Sequence, residues 1–287
     1  MRRFIAVGAF ALIALVVVFV LLGGGTDEIA HPKRILALNH GVAHERITID
    51  SKAVGRKLPA DVLLPPDYKE SDHRPILVFL HGRSDSDTPP GNIAGGKMPD
   101  ALKAAGPKAP IVVAPWGGSS YWHNRSTGDW ASYVNREVIN AVARKYNGDR
   151  RRVAIAGHSM GGFGALNLAR LHPGRFCAAG GHSPALWQTG GETAAGAFDG
   201  AGDFTQNDVI AVARSNPAAF KGTRIWIDAG DQDPFQPGDK AMIAALQAGG
   251  VDLTTHSWPG AHTGEYTNAH MTTYFRFYAR ALARCRR

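Results

Sequence analysis

A serine flanked by two glycines lies where a strand pattern gives way to a helix pattern. The motif is Gly157-His158-Ser159-Met160-Gly161, with the apolar run 152–156 before it and the helix-compatible run 163–171 after it. At such a turn the serine backbone is strained so that its hydroxyl projects from the end of the sheet, and glycines avoid collisions with the neighbouring strand and helix. The motif therefore predicts a nucleophilic serine rather than an idle residue in a βα turn.

A serine hydroxyl is a poor nucleophile at neutral pH, so this chemistry requires a histidine base and an acid that orients it. The buried-strand pattern 223–229 runs into Gly230-Asp231-Gln232-Asp233-Pro234, which puts two carboxylates in one loop. Asp233 is the predicted acid, because a G-x-x-D turn presents its last residue toward the site. Asp231 is the alternative, since either carboxylate could instead cap the helix predicted to begin near Pro237.

The predicted base is a histidine in the loop after the last strand pattern. Residues 251–258 alternate in polarity, and the glycine-bearing loop 259–264 follows with His262 in it. A base must follow the acid along the chain at the same edge of the sheet, so His262 is preferred. His256, within the strand, and His270, within the next helix, are weaker candidates.

Two backbone N–H groups are predicted to hold a developing oxyanion. One belongs to Met160, directly after the nucleophile, and the other to a loop after an earlier strand. The apolar run 75–80 is followed at once by His81-Gly82-Arg83-Ser84, which makes the N–H of Arg83 the second donor. His81 is expected to support this loop by hydrogen bonding.

Aromatic residues are concentrated after another apolar strand pattern, 110–114. Trp116, Tyr121 and Trp122 are expected to form an exposed wall that contacts the substrate. The alternative is that Trp122 and Trp130 pack the loop onto the following helix. The Gly/Ala-rich segment 188–202 has little to bury, so it is expected to be a flexible excursion, either bordering the substrate or without function.

The combined motifs resemble those of the putative esterase family of α/β-hydrolases, which includes esterase D-type enzymes, feruloyl and enterochelin esterases and mycolyltransferases. The similarity runs from Glu45 to Ala283, and the motifs that carry it are LPADVLLPPDY (58–68), ILVFLHG (76–82), APWGGSSYWHN (114–124), DWASYVNREVINAV (129–142), GHSMGGFGAL (157–166) and GDQDPF (230–235). The resemblance implies Ser159, His262 and Asp233 as the triad, with Arg83 and Met160 as the oxyanion hole. GHSMGG and Asp233 favour the carboxylesterase branch.

Alternation of strand and helix patterns predicts an α/β fold. Helical patterns at 130–146, 239–248 and 266–283 separate the strands, which indicates a mostly parallel central sheet with helices on both faces, as in the α/β-hydrolase fold. In such sheets the ligand site lies beyond the carboxyl ends of the strands, where all the candidate residues fall.

The N-terminus predicts export. Residues 4–22 contain no charge and no proline, follow Arg2 and Arg3, and are longer than the roughly 7–15 residues of a typical signal-peptide core. They approach the roughly 20 residues that span a bilayer, so an anchor helix is favoured and cleavage near the following glycines is the alternative. The predicted organisation is a signal peptide or signal anchor over 1–25, a linker over 26–42, and an extracytoplasmic, anchored or secreted catalytic domain over 43–287.

Composition narrows the classes of partner. A formal charge of +8 and a pI near 9.7 predict attraction to an anionic membrane or envelope surface. The arginine clusters 150–152 and 284–287 accompany no nucleic-acid-binding motif, so no nucleic acid is expected. Two cysteines define no disulfide framework, and no histidine or cysteine spacing resembles a zinc site, so no metal or other cofactor is expected.

These features predict an exported or membrane-anchored serine carboxylesterase acting on a small-molecule or lipid ester through an acyl-enzyme on Ser159. An acyltransferase that passes the acyl group to a sugar or lipid hydroxyl is the main alternative, because a triad does not select the acceptor. A catalytically inactive binding protein on the same fold is the alternative from another class, but it should lack a triad residue.

Overall fold

The computed structural model describes residues 37–39, 41–84 and 96–285. The strands are β1 (Ala37–Asn39), β2 (Val42–Ser51), β3 (Arg56–Leu64), β4 (Pro75–Leu80), β5 (Ile111–Pro115), β6 (Asn124–Arg125), β7 (Gly128–Asp129), β8 (Asp149–Ser159), β9 (Ala178–Pro184), β10 (Arg224–Gly230) and β11 (Leu253–Trp258). The α-helices are α1 (Met98–Ala104), α2 (Trp130–Ser132), α3 (Ile139–Tyr146), α4 (Met160–Leu171), α5 (Ala201–Asn207), α6 (Val209–Ser215), α7 (Gln236–Ala248) and α8 (Gly264–Ala283). A π-helical segment, Tyr133–Val138, joins α2 to α3.

Nine strands form one sheet in the order β1-β2-β3-β5-β4-β8-β9-β10-β11. From β5 to β11 all neighbours are parallel, whereas β1, β2 and β3 are antiparallel to theirs. The predicted mostly parallel sheet is confirmed. The loops after β4, β5, β8, β10 and β11 therefore leave from the same edge, which is where a parallel sheet places a ligand site.

Helices cover both faces of the sheet because its central strands are apolar on both sides. Along β4, Ile76 and Val78 face a core shared with α3, α4, α6 and α7, while Leu77 and Phe79 face a second core shared with α1 and α8. A strand buried on both faces needs a continuous apolar run rather than an alternating pattern. This explains why the run 75–80 predicts β4 without error at either end.

The sheet begins earlier than the sequence predicted. The predicted linker, 26–42, contains a strand, because residues 37–39 pair as β1 with residues 42–44 at the start of β2. A three-residue strand is too short to show a polarity pattern. The apolar segment 4–22 lies outside the described residues, and none of the helices within the described ranges is long and apolar enough to cross a bilayer.

A disulfide joins Cys177, just before β9, to Cys285, just after α8. The two cysteines are 108 residues apart, and their S–S distance is 1.99 Å. The bond fastens the C-terminal end of α8 to the sheet at the edge opposite the candidate site. Composition alone could not indicate this pairing, because it depends on α8 returning across the sheet.

Candidate active site

Ser159 occupies a strained turn between β8 and α4. Its backbone has φ 55° and ψ −118°, a conformation that residues with a side chain rarely adopt. A Cβ on Gly157 would lie 2.5 Å from the carbonyl oxygen of Leu80, and a Cβ on Gly161 would collide with that same oxygen. The two glycines thus permit the turn for the steric reason that the sequence predicted.

Ser159, His262 and Asp233 form a continuous hydrogen-bonded chain. The hydroxyl of Ser159 lies 2.8 Å from Nε2 of His262, and Nδ1 of His262 lies 2.9 Å from Oδ2 of Asp233. A carboxylate can only accept, so Nδ1–H donates to Asp233 and the unprotonated Nε2 accepts from the serine. The structure brings together the three side chains that the sequence singled out.

The carboxyl of Asp233 is buried but remains ionised. Burial alone would raise its pKa, but the hydrogen bonds from His262 and from the N–H of Phe235 hold that pKa below its usual value. The side chain is fully shielded from solvent, whereas that of His262 is 21% exposed. A buried carboxylate behind a partly exposed imidazole can stabilise a positive charge that forms on the imidazole.

Asp231 contacts the histidine loop rather than the histidine. Its N–H donates to the carbonyl of Trp258, and its Oδ1 accepts from the N–H of Gly260 at 3.0 Å. The N–H of Gln232 donates to the carbonyl of Gly260 at 2.9 Å. Asp231 therefore holds the loop that carries His262, a role that the sequence did not reveal because both carboxylates lie in the same turn.

Two rings flank the imidazole of His262. The ring centroid of Phe235 lies 4.8 Å from it and that of His158 lies 5.1 Å from it. Burial, aided by the neighbouring His262, lowers the pKa of His158 to about 4, so this second imidazole is neutral at pH 7. Its Nδ1 lies 2.9 Å from Oγ1 of Thr267. The middle residue of the serine motif thus packs beside the base, which spacing alone did not suggest.

The two weaker histidine candidates lie elsewhere. His256 and His270 each stack on Trp258, with centroid separations of 4.6 and 3.9 Å. Neither is hydrogen-bonded to Ser159. Packing against tryptophan accounts for both.

The loop 81–84 passes beside the serine, as an oxyanion-hole role for Arg83 requires. A Cβ on Gly82 would lie only 3.4 Å from Cβ of Ser159. His81 supports the loop, since its Nδ1–H donates to the carbonyl of Gly82 at 2.6 Å and its Nε2 accepts from the N–H of Gly117 at 3.0 Å. Burial lowers the pKa of His81 to about 4 and keeps it neutral. The oxyanion roles of the N–H groups of Arg83 and Met160 stay a prediction.

The prediction of an exposed aromatic wall is wrong. Trp116, Tyr121 and Trp122 are only 4%, 3% and 0% exposed. Trp116 stacks on His81, and the indole of Trp122 lies against Gly117 and Gly164 while its Nε1–H donates to the carbonyl of His81. These rings support the loops around Ser159. The sequence does not show whether aromatic residues that follow a strand face the solvent or the core.

The segment 188–202 is anchored, in contrast to the flexible excursion that its composition predicted. Arg125 donates to the carbonyls of Gly196 and Ala197 and pairs with Asp199 at 2.7 Å, while Arg83 donates to the carbonyl of Ala195. Ala197 is fully buried, and Phe198 packs among aromatic rings. Arginines distant in sequence supply hydrogen bonds that the segment's own small side chains cannot.

The fold is like that of the α/β-hydrolases. A solved ferulic acid esterase superimposes with a TM-score of 0.72 at 22% identity, over 84% of this chain and 98% of that chain. An S-formylglutathione hydrolase from Agrobacterium tumefaciens superimposes with a TM-score of 0.71 at 19% identity, over 86% of this chain and 98% of that chain. At these identities the likeness establishes the fold.

The model of the putative esterase family matches residues 51–281, and the chain belongs to this family. The esterase Rv1288 of Mycobacterium tuberculosis is 27% identical over 258 residues, which cover 74% of this chain and 54% of that protein. The chain thus spans about half the length of this curated relative. The family resemblance noted from the sequence is confirmed.

Proposed function

We propose that this chain hydrolyses carboxylic esters through an acyl-enzyme on Ser159. The observation that carries the proposal is the chain of hydrogen bonds from Ser159 through His262 to Asp233, at 2.8 and 2.9 Å, built on a strained turn. Membership of the esterase family and the likeness to named esterases and hydrolases support the same chemistry. A binding protein without catalysis would have no need of an aligned proton relay.

In the proposed reaction, Oγ of Ser159 attacks the ester carbonyl carbon while its proton passes to Nε2 of His262. Asp233 stabilises the resulting imidazolium, and the N–H groups of Arg83 and Met160 stabilise the negative charge on the former carbonyl oxygen. The C–O bond then breaks, and the alcohol leaves with the proton from His262. Water attacks the acyl-enzyme in the same way, so the acid is released and Ser159 regains its proton.

Hydrolysis and acyl transfer differ only in the second nucleophile, so product analysis separates them. We expect the purified chain to convert 4-nitrophenyl butyrate to butyrate and 4-nitrophenol in equal amounts. Adding glycerol or trehalose should leave butyrate as the main product, because the partly exposed His262 admits water. A dominant butyryl glycerol or butyryl trehalose product would instead identify an acyltransferase. Chromatography of the quenched mixture makes the measurement.

We further propose that the catalytic domain is exported. The apolar segment 4–22 supports this, and so does the disulfide between Cys177 and Cys285, because such bonds persist mainly in oxidising compartments. Protein from its native host, denatured without reductant, should therefore add no thiol-alkylating group, and after reduction it should add two. Two groups added without reduction would contradict the proposal. Mass spectrometry counts the groups directly.

A further inference from the structure

A cleft of about 300 Å³ opens beside the loop that borders Ser159, and we call it the arginine cleft. Three arginines from separate parts of the chain line it, namely Arg56, Arg83 and Arg125. The rest of the described lining is Ser84, Gly117, Gly118, Ser119, Ser120, Thr127, Trp130 and Gly196. No carboxylate lies in this described lining, whose side chains are cationic or neutral.

The cleft lies at the catalytic edge of the sheet. Arg83 and Ser84 follow Gly82, which is packed against Ser159, and the loop 117–120 is fastened to the same place by the hydrogen bond from Gly117 to His81. β3 runs antiparallel to β5, so its first residue, Arg56, lies at the edge where the parallel strands end. A substrate whose ester carbon is at Ser159 can therefore extend one of its two ends into the cleft.

The three arginines have different contacts, and Arg83 donates to the carbonyl of Ala195. Arg125 is a structural clamp, because Asp199 and two carbonyls occupy its guanidinium and leave its side chain 8% exposed. The guanidinium of Arg56 lies over the indole of Trp130, 5.5 Å from the ring centroid, and no carboxylate of the described chain pairs with it. A guanidinium carries five N–H donors, and a contact with a ring leaves donors that can bind an anion.

We propose that the arginine cleft binds an anionic group of the ester substrate, with Arg56 as the residue that selects for it. The group is a carboxylate, phosphate or sulfate carried on the acyl or the alcohol side of the ester. This inference rests on the proposed esterase function and adds a substrate class to it. Arg56 pairs with no carboxylate of the described chain, and none lies in the described lining, so its charge beside backbone that glycines leave open suits an oxyanion better than a hydrocarbon chain.

Matched ester pairs test the proposal. 4-Acetoxybenzoate and its methyl ester place or remove a charge on the alcohol side, and mono(4-nitrophenyl) adipate and its methyl ester do so on the acyl side. Each kcat/KM is divided by the hydroxide-catalysed rate of the same ester. In one pair, we expect this corrected kcat/KM to be about tenfold higher for the anionic ester than for the neutral one at low ionic strength, mainly because KM is lower. The ratio should shrink in 0.5 M NaCl.

Substitutions assign the preference to a residue. Arg56→Gln should reduce this preference to about one, because the anionic ester loses its partner, and a thermal unfolding curve checks that the variant is folded. Arg56→Lys should keep part of the preference for the anionic ester. Arg280 is an exposed arginine of α8, so the control variant Arg280→Gln should keep the whole preference. Equal rates within both pairs, or a preference that survives Arg56→Gln, would overturn the proposal. Failure of the esterase function itself is distinct, because then the neutral esters would not be hydrolysed either.

Discussion

Ser159→Ala is expected to lower kcat/KM for 4-nitrophenyl butyrate by at least about 10⁴-fold while the domain stays folded. Oγ is the atom that forms the acyl-enzyme, and binding together with the oxyanion donors can supply only the residual rate. Alanine keeps the Cβ that the turn at φ 55° already tolerates, so the substitution adds no new backbone clash. Initial rates measure the loss of activity and thermal unfolding checks the fold, and a fluorophosphonate probe should label the wild type but not Ser159→Ala.

Ser215→Ala is the matched control, since Ser215 is an exposed serine at the end of α6 whose hydroxyl donates to the carbonyl of Ala211. It should retain both turnover and labelling. Turnover of Ser159→Ala within tenfold of the wild type would exclude Ser159 as the nucleophile. A folded wild type that hydrolyses no ester and takes up no probe would favour an inactive binding protein on this fold.

Much of the site could be predicted because it depends on local sequence. A serine between glycines, after an apolar run, fixes a turn whose sterics are set within a few residues and by the carbonyl of Leu80 on the next strand. Strands buried on both faces, such as β4 and β8, can be predicted because they contain continuous apolar runs. The chain order of serine, acid and histidine then follows from the order in which parallel strands deliver their loops to one edge.

The features that the sequence did not predict depend on contacts between distant residues. Trp122 turns inward because Gly117 and Gly164 leave room for its indole, and Trp116 stacks on His81, which a count of aromatic residues does not show. Segment 188–202 is held by Arg125, more than sixty residues before it. Arg56 reaches the catalytic edge because β3 is antiparallel to β5, and no pattern in the residues of β3 indicates that direction.

The second large effect concerns which of the two carboxylates in the loop 230–234 is the triad acid. We expect Asp233→Asn to lower kcat by about 10⁴-fold, an effect of the size that loss of the orienting carboxylate has in a serine triad. Oδ1 of Asp233 accepts from the N–H of Phe235, so an asparagine would keep its oxygen there and turn its NH₂ toward Nδ1 of His262. The imidazole would then carry its proton on Nε2, where it cannot accept the proton of Ser159.

Asp231→Asn tests the same change of charge at the neighbouring position. The amide oxygen can still accept from the N–H of Gly260, so the loop that carries His262 should keep its place and kcat should fall no more than a few-fold. Both substitutions preserve shape, and unfolding curves of the two variants check that neither has lost the fold. If Asp231→Asn lowered kcat more than Asp233→Asn, Asp231 would be the triad acid. Equal small effects would mean that His262 works without an orienting carboxylate, so its position would depend on the packing of Phe235 and His158 alone.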